Sequence, residues 1–317
     1  MFPIGLGCMA MSGMYGASDD EESVATIQMA LDRGVNLLDT GDFYGMGHNE
    51  MLVGKAIAGR RREDILIQVK FGAQRDPGGN WLGYDASPPA VKTALAYTLK
   101  RLNTDYVDLY QPARLDPKVP IEETAGAIGE MIQAGYVRFA GLSEVGVETI
   151  RRANAAHPIA GLQIEYSLMS RGIESNILPA VRELGIGVTA YGVLSRGLIA
   201  GRRAGHMGSG DIRTHMPRWS GENEARNMVM VERLEEIARE KKATTAQLAM
   251  AWVLSRGEDI VPLAGARTRA QLEDLLGALE VTLSAQDVLE IEAAVPHEQV
   301  AGGRYGEMQM ASLDSER

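Results

Sequence analysis

A single cysteine, Cys8, stands among 317 residues. It excludes an intrachain disulfide framework and leaves too little thiolate for a zinc or iron–sulfur centre. Long apolar runs are missing as well. None reaches the roughly 18 residues of a membrane span, and no basic stretch with an apolar core and cleavage site opens the chain. A cytoplasmic protein without membrane partners is expected. Basic residues are scarce: 32 Lys and Arg against 42 Asp and Glu leave a net charge of −10, which argues against nucleic acid, whose phosphates need a basic surface. No glycine-rich phosphate fingerprint follows the first apolar run, and no Walker-type loop occurs anywhere. The stretch "GMGHNE" (45–50) begins as Gly-x-Gly but ends in Glu50 and follows the second run. His206 and His215 have no cysteine or carboxylate pattern around them, so no metal site is expected.

What is present is an ample core, with 45% hydrophobic residues, and a regular alternation. Eight short apolar, β-branched-rich runs fall at 3–8, 36–40, 65–71, 106–111, 139–143, 162–167, 187–193 and 260–265. Helical stripes lie between them: Val24, Ile27 and Leu31 share a face, as do Ile121, Ala125, Ile128 and Ile132. Ser87-Pro88 reads as an N-cap with proline at the first helical position, opening a helix to about Leu102. Met230, Leu234 and Ile237 form another stripe, followed by helices at about 245–254, 269–279 and 284–295, the last opened by Ser284 with Asp287 three residues on. Strands alternating with helices imply a parallel sheet. Eight units without a composition break fit one α/β domain over 1–317, a (β/α)8 TIM barrel, better than a doubly wound sheet, which would want the missing fingerprint. The polar, Gly-rich stretch 201–226 reads as a long loop after the seventh strand, and 284–317 as a C-terminal helix and tail.

In such a barrel the active site lies at the C-terminal ends of the strands. The run "NLLDTGDFYG" (36–45) ends in Asp39, with Tyr44 five residues on. In "ILIQVKFG" (65–72), Leu66, Gln68 and Lys70 alternate to one side, and a buried lysine needs a partner. Asp39 is the natural one. Taken singly, these residues could be a structural ion pair and a loop tyrosine. Together, each at a strand's catalytic end, they are proton-transfer equipment: an ammonium lowers a phenol's pKa toward the range where it gives or takes a proton. That suits carbonyl reduction, with hydride from a nicotinamide and the proton from the phenol. Ser143-Glu144, Gln163 and Tyr191-Gly192 end or approach the ends of the fifth, sixth and seventh strands.

The segments "GVNLLDTGDFYGMGHNEMLVGKAI" (34–57), "ILIQVKFG" (65–72), "LKRLNTDYVDLYQ" (99–111), "VRFAGLSEV" (137–145) and "LQIEYSLMSRGIE" (162–174) resemble the aldo-keto reductases, nearest their bacterial aldehyde-reductase-like branch. The resemblance runs from "IGLGCMAMSG" (4–13) to "GGRYGEM" (302–308). It implies a (β/α)8 barrel that binds NADPH or NADP without a Rossmann domain, and a small-molecule carbonyl or alcohol substrate. The family's N-terminal hairpin is absent or very short here. Carried over by motif, Tyr44 is the general acid, Lys70 lowers its pKa and Asp39 holds Lys70. The nicotinamide carboxamide would meet Ser143 and Gln163, with the ring on Tyr191. The stretch 192–202 resembles the pyrophosphate loop, with backbone amides from Leu194, Arg196, Gly197 and Leu198. At the end of the eighth strand Gly265 opens the match to the 2′-phosphate site. Arg267 would pair with that phosphate, and Gln271 and Asp274 would lie near the adenine.

Three departures stand out. The family's fourth strand usually ends in a histidine aimed at the carbonyl; "DYVDLYQPARLDP" (105–117) aligns without a gap and puts Ala113 there. Losing one such donor is worth about 2.7–4 kcal/mol of transition-state stabilisation. Glu144 replaces an asparagine, and Leu275 replaces another that commonly touches adenine. For the lost histidine, Arg114 is next in sequence, but strand alternation points it away from Ala113's side. His48 either leans over the pocket or is an exposed loop histidine. Trp219 either lines the pocket or anchors the long loop. The alternatives to a reductase are a nicotinamide-binding sensor or scaffold, and a barrel lyase or isomerase using Lys70 as a Schiff-base nucleophile, which Asp39 disfavours by keeping Lys70 protonated. The substrate's identity and the oligomeric state stay open at this level.

Overall fold

The computed structural model describes residues 1–208 and 210–317, except the side chain of His206; the expectation that His206 binds no metal therefore lies outside the described part. Eight parallel strands close into a ring: β1 (Gly5–Gly7), β2 (Leu37–Gly41), β3 (Leu66–Phe71), β6 (Val107–Pro112), β7 (Val137–Ser143), β8 (Ile159–Glu165), β9 (Gly187–Tyr191) and β10 (Ile260–Ala264), with β10 pairing back to β1. All eight predicted runs are barrel strands, and the fold is a (β/α)8 barrel. Among the described residues no strand precedes β1, and no helix is long and apolar enough to cross a membrane.

One hairpin, β4 (Ala73–Arg75) with β5 (Trp81–Tyr84), was not expected from the pattern. Its turn signal is Asp76-Pro77-Gly78-Gly79. Gly72 makes the bend out of β3 into it: φ is +90°, and a Cβ would sit 2.6 Å from the Asp85 carbonyl oxygen.

The outer layer is α1 (Asp20–Asp32), α2 (His48–Ile57), α3 (Pro88–Leu102), α4 (Ile121–Gln133), α5 (Val147–Ala156), α6 (Ile177–Glu183), α7 (Gly221–Glu240), α8 (Thr245–Leu254), α9 (Arg269–Leu276) and α10 (Ala285–Ala294), with a short α11 (Glu307–Ala311) in the tail. Side chains that the sequence predicts as starts do act as caps. The Ser87 hydroxyl accepts from the Ala90 amide, and Ser284 with Asp287 forms a reciprocal capping box. Three short 3-10 turns occupy the stretch after β9 between Ala204 and Trp219, and α7 already begins at Gly221.

Period-2 alternation grades the barrel interior from apolar to ionic. Leu37, Leu66, Val261 and Leu263 pack together at its lower end. Above them Gln68 donates to the Thr189 hydroxyl at 3.1 Å. Above that come Asp39, Lys70, Gln111 and Gln163, all buried. The outward partners Ile67, Val69 and Phe71 face the helices, where Phe71 stacks on Tyr110 at 4.4 Å between ring centroids. Alternation thus brings Asp39, Lys70, Gln111 and Gln163 together inside the barrel above its apolar lower layer.

Candidate active site

Lys70 and Asp39 meet inside the barrel. Register pairs Lys70 with Gly41 and with Gln111, so its side chain reaches down one pleat to Asp39. Its ammonium lies 2.5 Å from Asp39 Oδ1, and the two side chains are only about 4% and 5% exposed. Gln163 Nε2 donates to the same oxygen at 2.7 Å, while its own carbonyl accepts from Gln111 at 3.2 Å. Burial pulls the Lys70 pKa down, and Asp39 pulls it back only in part.

Tyr44 is buried in the turn after β2. Its ring centroid lies 5.0 Å from the Lys70 ammonium. Burial, then the charge of Asp39, push its phenol well above the ordinary value, and the nearby cation that pulls hardest the other way is Arg114. The expected tuning cation, Lys70, is itself held by Asp39 at 2.5 Å.

Arg114 corrects the sequence reading. Strand β6 ends at Pro112, so alternation no longer governs the next two residues. The guanidinium turns into the barrel mouth, donating to the Ala113 carbonyl at 2.6 Å, to the Tyr305 hydroxyl at 3.2 Å and to the Ser143 hydroxyl at a long 3.5 Å. His48, in contrast, does not lean over the pocket. It starts α2, with one ring nitrogen 3.1 Å from the Ser12 hydroxyl and the other 3.1 Å from Asp20. Trp219 is a buried loop anchor beneath Arg213, whose guanidinium carbon is 5.3 Å from the Trp219 ring.

A second ionic cluster rims the mouth. Glu144, in the left-handed region at φ +54°, receives Arg304 through two bonds of 2.8 and 2.6 Å, together with hydroxyls from Ser315 at 2.7 Å and Tyr191 at 2.7 Å. Burial alone would raise the Glu144 pKa, but the hydrogen bonds and charge of Arg304 hold it well below the usual carboxylate range. Glu165, fully buried, pairs with Arg196 at 3.0 Å and lies 3.6 Å from both Arg218 and Arg304. Tyr305 closes the group, its hydroxyl 2.9 Å from that of Tyr191 and its ring under Arg196 at 4.5 Å. A groove of about 880 Å³ on the outer wall, between α2, α3 and α4, contains none of these residues.

The closed barrel agrees with what the chain is similar to. The model of the aldo/keto reductase family matches residues 3–296. The chain belongs to the aldo/keto reductase family. It is 43% identical over 306 residues to a probable aldo-keto reductase 1 of Glycine max, covering 95% of this chain and 88% of that one. It is 38% identical over 309 residues to an NADP(+) aldo-keto reductase, yakc, of Schizosaccharomyces pombe, covering 95% and 91%. Among solved structures, the glycerol dehydrogenase AKR11B4 of Gluconobacter oxydans superposes with a TM-score of 0.83 at 29% identity, covering 93% and 92% of the two chains. An aldo/keto reductase of Klebsiella pneumoniae, solved with NADP and acetate, gives 0.73 at 26% identity, covering 96% and 94%.

In this aldo/keto reductase the remaining expected positions are distributed as follows. Ser143 is fully buried at the end of β7, and Tyr191 ends β9 beside it across β8. After β9, Ser195, Arg196 and Gly197 take φ of +47°, +59° and +99° in succession. Two left-handed non-glycine residues in a row mark a strained turn, and such runs form concave backbone that binds anions. Gly265 follows β10 and leads to Arg267, whose Nη1 donates to the carbonyls of Tyr15 and Ala17 at 3.1 and 3.0 Å. The Gln271 side chain accepts from the Arg267 amide at 3.1 Å. Asp274 is turned elsewhere: it accepts from Thr244 and Gln247, both at 3.1 Å, and ties α9 to α8. Both bonds use Oδ1 and, among the described residues, leave Oδ2 uncommitted.

The mouth also contains residues that the sequence did not single out: Tyr15, Glu165, Arg218, Arg304 and Ser315. Glu165 was within reach, since it lies two residues beyond Gln163 on the same strand face. Arg304 and Ser315 are separated from Glu144 by 160 and 171 positions, and no local pattern connects them.

Proposed function

We propose that this chain reduces the carbonyl of a small aldehyde or ketone to an alcohol with NADPH, or runs the reverse reaction, with Tyr44 as proton donor. The observation that carries the reading is the buried Lys70–Asp39 pair directly beneath the Tyr44 ring. An apolar pair would be as stable or more so in that position, so its retention calls for a chemical reason. The sensor or scaffold reading supplies none.

The residues present fit a nicotinamide dinucleotide. The left-handed run at 195–197 offers a concave backbone for a pyrophosphate. The Ser143 hydroxyl, with only a long contact from Arg114, is free to meet a carboxamide, and the Tyr191 ring stands at the strand end beside it. Gln163 would reach the same carboxamide by giving up its bond to Gln111. Arg267 directs only Nη1 to backbone carbonyls among the described residues, leaving the rest of its guanidinium for a 2′-phosphate. The NADP(+) in the name of the fission-yeast relative and the NADP in the Klebsiella structure support the same choice.

Bound NADPH supplies the hydride to the carbonyl carbon. Tyr44 delivers its hydroxyl proton to the carbonyl oxygen, so the product is the alcohol and the phenolate is reprotonated from solvent. Burial and Asp39 keep Tyr44 protonated until a substrate oxygen gains charge, and the Arg114 charge, with the Lys70 ammonium 5.0 Å from the ring centroid, then favours the phenolate. Lys70 is held in place by Asp39, which Gln163 steadies in turn. A single cysteine and the absence of an apolar run long enough to span a membrane favour a cytoplasmic setting.

The test is NADPH oxidation with a panel of aromatic and aliphatic aldehydes for wild type and Tyr44→Phe, with cofactor binding followed by fluorescence quenching. Wild type turns over, and Tyr44→Phe binds NADPH normally but loses about two to four decades in kcat. Equal turnover by the two proteins, or no turnover by wild type across the panel, refutes the reading.

A further inference from the structure

With Ala113 at the end of β6, the reaction lacks the imidazole that the family usually aims at the carbonyl. We propose that the Arg114 guanidinium takes over this work, donating a hydrogen bond to the substrate's carbonyl oxygen as that oxygen gains negative charge. The proposal rests on the reading of Tyr44 as proton donor, and three observations carry it.

The first is direction. Because β6 stops at Pro112, Arg114 enters the mouth rather than the helical layer, and its two terminal nitrogens lie between Ser143 and Tyr305. With Ser143 expected at the nicotinamide and Tyr305 in the tail, the guanidinium bridges the two walls of the mouth.

The second is charge. The other arginines of the mouth are neutralised: Arg196 and Arg218 lie within 4 Å of Glu165, and Arg304 holds Glu144. Arg114 has no carboxylate within that distance among the described residues; its bonds go to a carbonyl and two hydroxyls. The charge of Glu144 reaches this half-buried guanidinium only from beyond 4 Å, so its donors are not taken up by a carboxylate. Such a group suits a place where an oxygen becomes anionic, because a fixed donor in a water-poor site needs no reorganisation at the moment of reaction.

The third is electrostatic reach to the proton donor. Among the cations near Tyr44, Arg114 exerts the strongest pull on its phenol, and its charge also reaches Lys70. One guanidinium therefore acts on both the phenol that gives the proton and the oxygen that receives it. The bond changes balance without it. A hydride forms the new C–H bond, the C=O π pair moves to oxygen, the Tyr44 proton forms the O–H bond, and Arg114 keeps all its protons, as its basicity requires.

An alternative role for an unpaired arginine is to anchor an anionic group of the substrate, and the experiment separates the two. Steady-state reduction of neutral 4-nitrobenzaldehyde and anionic 4-carboxybenzaldehyde is measured for wild type, Arg114→Met, Arg114→Lys and the double variant Ala113→His/Arg114→Met. NADPH quenching and thermal melting serve as folding controls. Arg114→Met is expected to lower kcat on the neutral aldehyde by about 10²–10³-fold with a much smaller change in KM. Arg114→Lys, which keeps the charge and is the measurement that counts if Arg114→Met fails to fold, loses about tenfold. Ala113→His restores at least a decade to Arg114→Met. Unchanged kcat on 4-nitrobenzaldehyde in a variant that binds NADPH overturns the proposal, and a rise in KM confined to 4-carboxybenzaldehyde does so in favour of an anion anchor. Failure of wild type on both aldehydes counts instead against the reductase reading itself.

Discussion

The barrel contains two ionic clusters of different construction. The lower one, Asp39, Lys70 and Gln163, is built entirely from β2, β3 and β8, with one anion, one cation and one amide. The upper one joins two carboxylates at the ends of β7 and β8, Glu144 and Glu165, to Arg196, Arg218 and Arg304, none of which is on a barrel strand. Strands hold Lys70 to within a hydrogen bond of its target whatever the loops do. Loops and tail, lacking such rails, are held at the mouth by charge. The lower cluster is fixed by the strands; the upper one ties loops and tail to the strand ends.

The sharpest way to break this contrast is to remove a charge from the lower cluster. Lys70→Met leaves Asp39 buried with only an amide donor, which should cost about 3–5 kcal/mol of stability, measurable by denaturant unfolding. Adding Asp39→Asn should recover most of that stability, because a neutral pair needs no counter-charge, while turnover stays lost. Stability and activity both returning in the double variant would mean the pair is structural and no part of the proton path.

The two clusters were unequally visible in the sequence, for a physical reason. Alternation along a strand is local, so "ILIQVKFG" already placed Gln68 and Lys70 on the inner face, and Asp39 followed as the partner. The eight strands were legible for the same reason. Arg114 was misdirected by that rule, because the strand ends at Pro112 and the rule ends with it. The hairpin from Ala73 to Tyr84 was passed over although its Pro-Gly-Gly turn was in plain view. The hold of Arg304 and Ser315 on Glu144 spans half the chain, and only the closed barrel brings the tail to that spot. Tyr44 shows the limit in electrostatics: the sequence set Lys70 beside the phenol, while the reach of Arg114 to it appears only in three dimensions.

A smaller and pH-dependent effect tests the upper cluster. Arg304→Met removes the main support of the Glu144 carboxylate while Ser315 and Tyr191 still donate to it, so the loss should fall at the low end of the range for a broken buried pair, about 3 kcal/mol at neutral pH. In wild type the folded-state pKa of Glu144 is depressed. Its stabilising contribution is therefore fully present above the unfolded value of about 4.5 and is lost only as pH falls through the lower folded value. In the variant, burial raises that pKa, and protonation removes the penalty. The stability gap between the two proteins should accordingly shrink as pH drops below about 5. Melting curves between pH 4 and 8 decide it, and a gap constant with pH would show that Arg304 acts by packing alone.

Asp42 sharpens the comparison from the opposite side, since it is a carboxylate at a strand end with no cation of its own. One oxygen accepts from the Gly72 amide at 3.2 Å, and the other is buried without a partner. Burial, reinforced by the charge of Glu50, lifts its pKa from 3.8 to about 7. With the folded value raised, the neutral form suits the fold. This residue's contribution is most favourable below pH 3.8 and worsens as pH rises toward 7, the reverse of Glu144. Asp42→Asn fixes the neutral form and keeps an acceptor for Gly72. It should therefore stabilise the protein at pH 8 by about 1 kcal/mol, a figure discounted for the partial exposure of the side chain, and leave the stability at pH 4 nearly unchanged. The sign is the informative part. Removing a charge costs stability where an arginine was placed to meet it and gains stability where none was. A loss at pH 8 would mean that the Asp42 carboxylate has a partner after all, and the division between neutralised and orphaned strand-end carboxylates would not hold.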